Sequence, residues 1–134
     1  MSSGIAVASL EDENGMSESS KLPPQVQERL LRLQQLQQTL QSVLGQKQQI
    51  EIELMEVEQA LGELEKMAED TVIYKSIGSL LVKTGKAKII AELNERKELL
   101  NMRVKVLSKQ EERLRGQIKD LQTKIQQDLQ PVSP

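Results

Sequence analysis

From Val26 onward, apolar residues recur with alternating spacings of three and four. Writing the run as heptads places Val26, Leu33, Leu40, Lys47, Leu54, Leu61 and Ala68 at a. Arg29, Leu36, Val43, Ile50, Val57 and Leu64 then fall at d. Eleven of these thirteen positions are apolar. A 3.5-residue repeat sustained over six heptads predicts a helix with one narrow apolar seam, the pattern of a coiled coil. Pro23 and Pro24 precede it, and proline is tolerated in a first helical turn but not further in, so the helix is expected to begin near Pro24. Gly45 and Gly62 stand off the seam at f and b and do not interrupt its packing.

The period changes after Glu69-Asp70. Across residues 71–84, Thr71, Val72, Ile73, Tyr74, Ile77, Val82 and Thr84 are β-branched or aromatic, which favours strands. Gly78-Ser79 supplies a two-residue turn with glycine first, so Ile77 should face Leu80 and Lys75 should face Val82. One face of this hairpin then carries Ile73, Ile77, Leu80 and Val82, and the other carries Val72, Tyr74 and Leu81. A hairpin with apolar residues on both faces is barely stable alone in water, and the chain offers no further strand. Strands from other subunits are therefore expected to complete it, which makes Ile73, Tyr74, Ile77, Leu80, Leu81 and Val82 the candidate oligomer surface.

A second heptad run extends from about Lys86 to Leu129. It has Ile90, Lys97, Val104, Glu111, Ile118 and Ile125 at a, and Leu93, Leu100, Leu107, Leu114, Leu121 and Asp128 at d. Two such helices, each roughly 65–70 Å long at ~1.5 Å per residue, should fold back antiparallel across the hairpin. Residues 22–70 carry a charge of −5 and residues 86–124 a charge of +5, so the flanks attract. Lys47 and Glu111 stand nearly equidistant from Gly78, as do Arg29 and Asp128, and folding back brings each pair within about one layer.

Composition narrows the chemistry. The 134 residues include 20 Leu and 17 Gln, and Tyr74 is the one aromatic. No Cys or His is present, which removes thiol nucleophiles, imidazole bases and the usual zinc ligands. No phosphate loop or metal cluster is written in the chain. Gly85-Lys86 lacks the upstream glycine of a P-loop. An enzyme is not expected, and neither a cofactor nor a metal. The net charge of −2 gives no general reason to expect nucleic acid. No apolar run approaches the ~20 residues that span a bilayer, and Ile5–Leu10 is too short for a signal peptide, so a cytoplasmic location without membrane contact is the expectation. Residues 1–22, rich in Ser and acids and without a period, are expected to be disordered, leaving 23–130 as the folded part and 131–134 as a tail.

Polarity is distributed unevenly along the first helix. Between Pro24 and Ile50 it has one acid, Glu28, and many Gln. The same end of the pair carries apolar residues off the seam, Leu30 and Leu44 at e, Leu31 at f and Leu129 at e. It also holds the seam residues Val26, Leu33, Ile118, Leu121 and Ile125. Apolar surface with little charge suits contact with another apolar surface.

The opening Leu-Pro-Pro-Gln-Val-Gln, the Gln-rich first half, the hairpin Val-Ile-Tyr-Lys-Ser-Ile-Gly-Ser-Leu-Leu-Val-Lys-Thr and the matching second helix together resemble the beta subunit of archaeal prefoldin, over roughly residues 22–130. The resemblance implies a mainly α fold, a long antiparallel two-helix coiled coil with one β-hairpin at the joined end. It also implies an ATP-independent chaperone. In that family two alpha and four beta subunits form a hexamer through their hairpins. The coiled-coil tips hold unfolded proteins and pass them to a group II chaperonin. On this reading the client-binding tip comprises Val26, Leu30, Leu31, Leu33, Leu121, Ile125 and Leu129. Two other classes are weighed beside it: a structural coiled-coil adaptor that uses the hairpin only as a turn, and a tRNA-binding helical arm. The arm would need aromatics for stacking, which the helices lack.

Overall fold

The computed structural model describes residues 22–130. The segment expected to be disordered, apart from Leu22, and the tail at 131–134 lie outside the described residues. The elements follow in the order α1 (Pro24–Glu65), β1 (Ile73–Ile77), β2 (Leu80–Thr84) and α2 (Lys86–Leu129). The helix ends are set by local chemistry. Pro24 occupies the first turn of α1, where Val26 N and Gln27 N donate to Pro23 O at 3.0 and 3.1 Å, and Gln27 Nε2 donates to Leu22 O at 2.7 Å. Gly85 O accepts the first bond of α2 from Ile89 N at 3.1 Å.

The chain divides into two compact units, one built from residues up to Leu44 and from Lys109 onward, the other from Gly45–Ser108. In the first unit Leu33, Leu36, Leu40, Ile118 and Ile125 form a buried cluster, against which Leu30, Leu44, Leu114 and Leu121 pack. In the second unit the buried residues are Ile50, Val57, Leu64, Leu100 and Leu107, all of them d residues. The a residues there, Leu54, Leu61, Ile90 and Val104, are half-buried. A two-stranded seam has solvent on both flanks, so one row takes the centre and the other its edge. In both units together, the twelve buried hydrophobic residues among those described all stand at a or d, as the heptads predict. Each such burial is worth about 1.5–3 kcal/mol relative to exposure.

One seam position differs from expectation. Ala68 lies beyond the end of α1 and is exposed. The last turn tightens through three-residue bonds, Lys66 N to Glu63 O at 3.2 Å and Met67 N to Leu64 O at 3.1 Å, and the chain leaves the helix there. Lys86 Nζ reaches back to donate to Met67 O at 2.8 Å, placing a cation at the C-terminal end of α1, where orphan carbonyls and the helix dipole favour it.

The sheet has two antiparallel strands, with Ile77 opposite Leu80, Lys75 opposite Val82 and Ile73 opposite Thr84, which is the register the Gly-Ser turn predicts. Gly78 has φ +57°, and Ser79 keeps a negative φ, the combination of a type II′ turn.

Candidate interaction surfaces

Strand alternation puts Ile73, Lys75, Ile77, Leu80, Val82 and Thr84 on one face of the hairpin and Tyr74, Ser76, Leu81 and Lys83 on the other. The base of the first face is tied to α2: Ile73 and Thr84 are half-buried, and Lys75 Nζ donates to Glu92 Oε2 at 2.7 Å. That hydrogen bond, reinforced by the charge of Lys75 and Lys88, holds the Glu92 carboxyl below its ordinary range. Beyond the base the hairpin is open. Ile77, Leu80 and Val82 are exposed on one face, and Tyr74 and Leu81 on the other. Leu81 is 72% exposed, which leaves a large apolar side chain on a sheet that no third strand covers among the described residues. Of the six residues expected to form an oligomer surface, five are thus exposed and Ile73 is its half-buried root.

The open end of the helix pair, where α1 starts and α2 finishes, is a second surface. The seven residues grouped there by sequence separate into three classes. Val26 and Leu33 are each 2% exposed and Ile125 is also buried; all three stand at a positions and belong to the seam. They are therefore not surface residues, contrary to the expectation for the tip. Leu30 and Leu121 are half-buried at the edge of the cluster. Leu31 at 58% and Leu129 at 54% exposure are open to solvent. A shallow groove runs beside Leu31 and Leu121, bordered by Gln25, Gln35 and Arg32. Its borders carry amides, the guanidinium groups of Arg29 and Arg32 and the Glu28 carboxylate. Arg29 and Asp128, the polar d residues of this end, form an ion pair across the helices.

Sequence reasoning did not single out Lys75, Glu92 or Lys86 as ties between hairpin and helices. It also passed over an apolar stripe on the outer side of α2, where Leu99, Met102 and Val106 are exposed. Their positions, c, f and c, carried the signal. Among the described residues no group of His, Cys, Asp or Glu is placed to hold a metal ion, and no helix is long and apolar enough to cross a membrane.

The prefoldin subunit family model matches residues 27–131. The prefoldin beta subunit of Methanothrix thermoacetophila is 45% identical over 116 residues, covering 87% of this chain and 97% of the relative. That of Thermococcus onnurineus is 48% identical over 112 residues, covering 84% of this chain and 97% of the relative. Among solved structures, the prefoldin beta subunit from Thermococcus strain KS-1 superposes with a TM-score of 0.79 at 45% identity, covering 83% of this chain and 97% of that one. The prefoldin beta2 subunit from the same strain, at 23% identity and a TM-score of 0.62, shares the fold.

Proposed function

The chain belongs to the prefoldin subunit family, and from that premise we propose that it acts as the beta-type subunit of a hetero-oligomeric, ATP-independent cytoplasmic chaperone, a hexamer with two alpha-type and four beta-type subunits. The observation that carries the reading is the hairpin, which exposes Ile77, Leu80 and Val82 on one face and Tyr74 and Leu81 on the other. Such a sheet gains from neighbouring strands what it cannot gain alone. Burying these five side chains between subunits would contribute about 1.5–3 kcal/mol each before the cost of association.

The second half of the proposal concerns the open end. Leu31 and Leu129, with the exposed rims of Leu30 and Leu121, hold apolar stretches of unfolded proteins. Each contact is weak, and several ends acting on one client multiply their effect. Release to a group II chaperonin completes the cycle. The adaptor alternative leaves the apolar hairpin without a use. The tRNA arm lacks stacking residues, since the single aromatic, Tyr74, stands on the hairpin.

Deleting residues 1–31 together with 122–134 tests the assignment. The truncated protein should assemble to the same stoichiometry by native mass spectrometry and lose its suppression of aggregation of a denatured reporter. Full protection by the truncated protein would refute the client assignment. Failure to assemble would refute the assembly assignment.

A further inference from the structure

The groove beside Leu31 and Leu121 opens at the start of α1, bordered by Glu28, Arg29, Arg32 and Gln35. Arg29 is held by Asp128, whereas Arg32 forms no ion pair among the described residues. The chain enters at this same end. Gln27 Nε2 donates to Leu22 O at 2.7 Å and ties the backbone before Pro23 to the first turn of α1. Residues 1–21 precede the family match, which starts at residue 27. The relatives, covered over 97% of their own length, account for only 84–87% of this chain. Within residues 1–21, Ile5, Val7 and Leu10 gather around Ala6 and Ala8, and Glu11, Asp12 and Glu13 follow at once. A short aliphatic stretch of this kind has the chemistry of a client.

We propose that residues 5–10 of this chain dock in their own chain's groove at the open end and compete there with unfolded proteins. Thirteen residues separate Leu10 from Pro24. A linker of that length has an r.m.s. reach of roughly 20 Å. The groove's far border, at Gln35, lies about 16 Å along α1 from Pro24 at ~1.5 Å per residue. With Leu10 against Leu31, the three acids come within reach of Arg32, the neighbouring residue on the helix. Glu28, one turn earlier, disfavours them there, which sets the direction in which the segment lies. The tether holds the segment at an effective concentration on the order of millimolar, so a contact of millimolar intrinsic strength fills the groove about half the time. Client affinity falls by the fraction left open, about twofold here and up to ~tenfold for a tighter contact. The competition rests on the client reading above; the docking does not.

The protein has no cysteine, so two introduced thiols report docking in the assembled full chain without any client. Mild oxidation of the Val7→Cys, Gln35→Cys variant is expected to give a disulfide within one chain, seen as a faster-migrating monomer on a non-reducing gel. Lys119 is exposed and stands at b, on the flank away from the groove's c and g residues. Val7→Cys with Lys119→Cys should therefore give at most about a tenth as much product. Adding Ile5→Ser and Leu10→Ser should abolish the Val7–Gln35 product. Deleting residues 2–21 should tighten binding of a labelled, reduced and alkylated reporter protein about two- to tenfold. Equal cross-linking at Gln35 and Lys119, a product that survives the serine changes, or a covalent dimer in place of the intrachain product would overturn the docking. Unchanged or weaker reporter binding after the deletion would overturn the competition. Reporter binding by neither form would refute the client reading and the competition with it, while the cross-link still decides the docking.

Discussion

Arg29 and Asp128 lie 99 residues apart in sequence and meet as an ion pair where α1 begins and α2 ends. Both occupy d positions, where a lone charge would face the apolar seam. Each side chain keeps about a quarter of its surface in solvent, at 25% and 24%. The pair satisfies two polar groups that would otherwise border Val26 and Ile125. It also disfavours a one-heptad slide of the helices, which would set each charge against an apolar residue.

A double-mutant cycle on Arg29→Leu and Asp128→Leu, read by thermal unfolding, should give a coupling energy of about 0.5–1 kcal/mol. Either single change should be harmful, since it leaves the other charge without its partner. The double change should recover most of the loss, because leucine suits a d position. Zero coupling would remove the pair's role in register.

Leu31 and Leu33 are two residues apart and should behave oppositely. Leu33→Ala removes a seam residue and should cost about 2–5 kcal/mol of stability. Leu31→Ala touches an exposed side chain and should cost less than about 0.5 kcal/mol. In aggregation assays at a temperature where both variants are folded, Leu31→Ala combined with Leu129→Ala should weaken protection. Leu33→Ala should leave it unchanged. The reverse ranking would assign client contact to the seam.

Placing aspartate at Ile77 and Leu80 together puts two charges on the open hairpin face. The expected result is a smaller species by light scattering, with helical circular dichroism retained, because neither side chain supports the seam. Assembly to wild-type mass would show that this face is not the subunit contact.

The Lys75–Glu92 tie makes a prediction about pH. The Glu92 carboxyl titrates lower in the folded chain than its ordinary value of 4.5, chiefly through the hydrogen bond from Lys75. Its contribution to stability is therefore present above that ordinary value and is lost as the pH falls through the folded value. Carboxyl NMR should show the depressed midpoint, and Lys75→Met should raise it toward 4.5.

The seam, the helix starts and the hairpin register were legible in the sequence because each follows a local rule. A 3–4 alternation defines a stripe, proline marks a first turn, and Gly78-Ser79 sets which residues face each other. The open end was legible only in part. Heptad position separates Leu31 at f from Leu33 at a, but grouping apolar residues by the end they occupy merged surface with seam. The ties made by Lys75 and Lys86 depend on how the hairpin leans on the helices, and no periodicity encodes that. The stripe of Leu99, Met102 and Val106 stands at c and f, positions that the 3–4 alternation does not define.

The central claim is that the hairpin is used for assembly and the open end for clients. Site-specific photo-crosslinking separates the two most directly. A photoreactive residue replaces Leu31 in one preparation and Leu81 in another, and each is irradiated with a denatured reporter protein. The account predicts reporter adducts from position 31 and only subunit–subunit adducts from position 81. Reporter adducts at position 81 equal to or exceeding those at position 31 would contradict it.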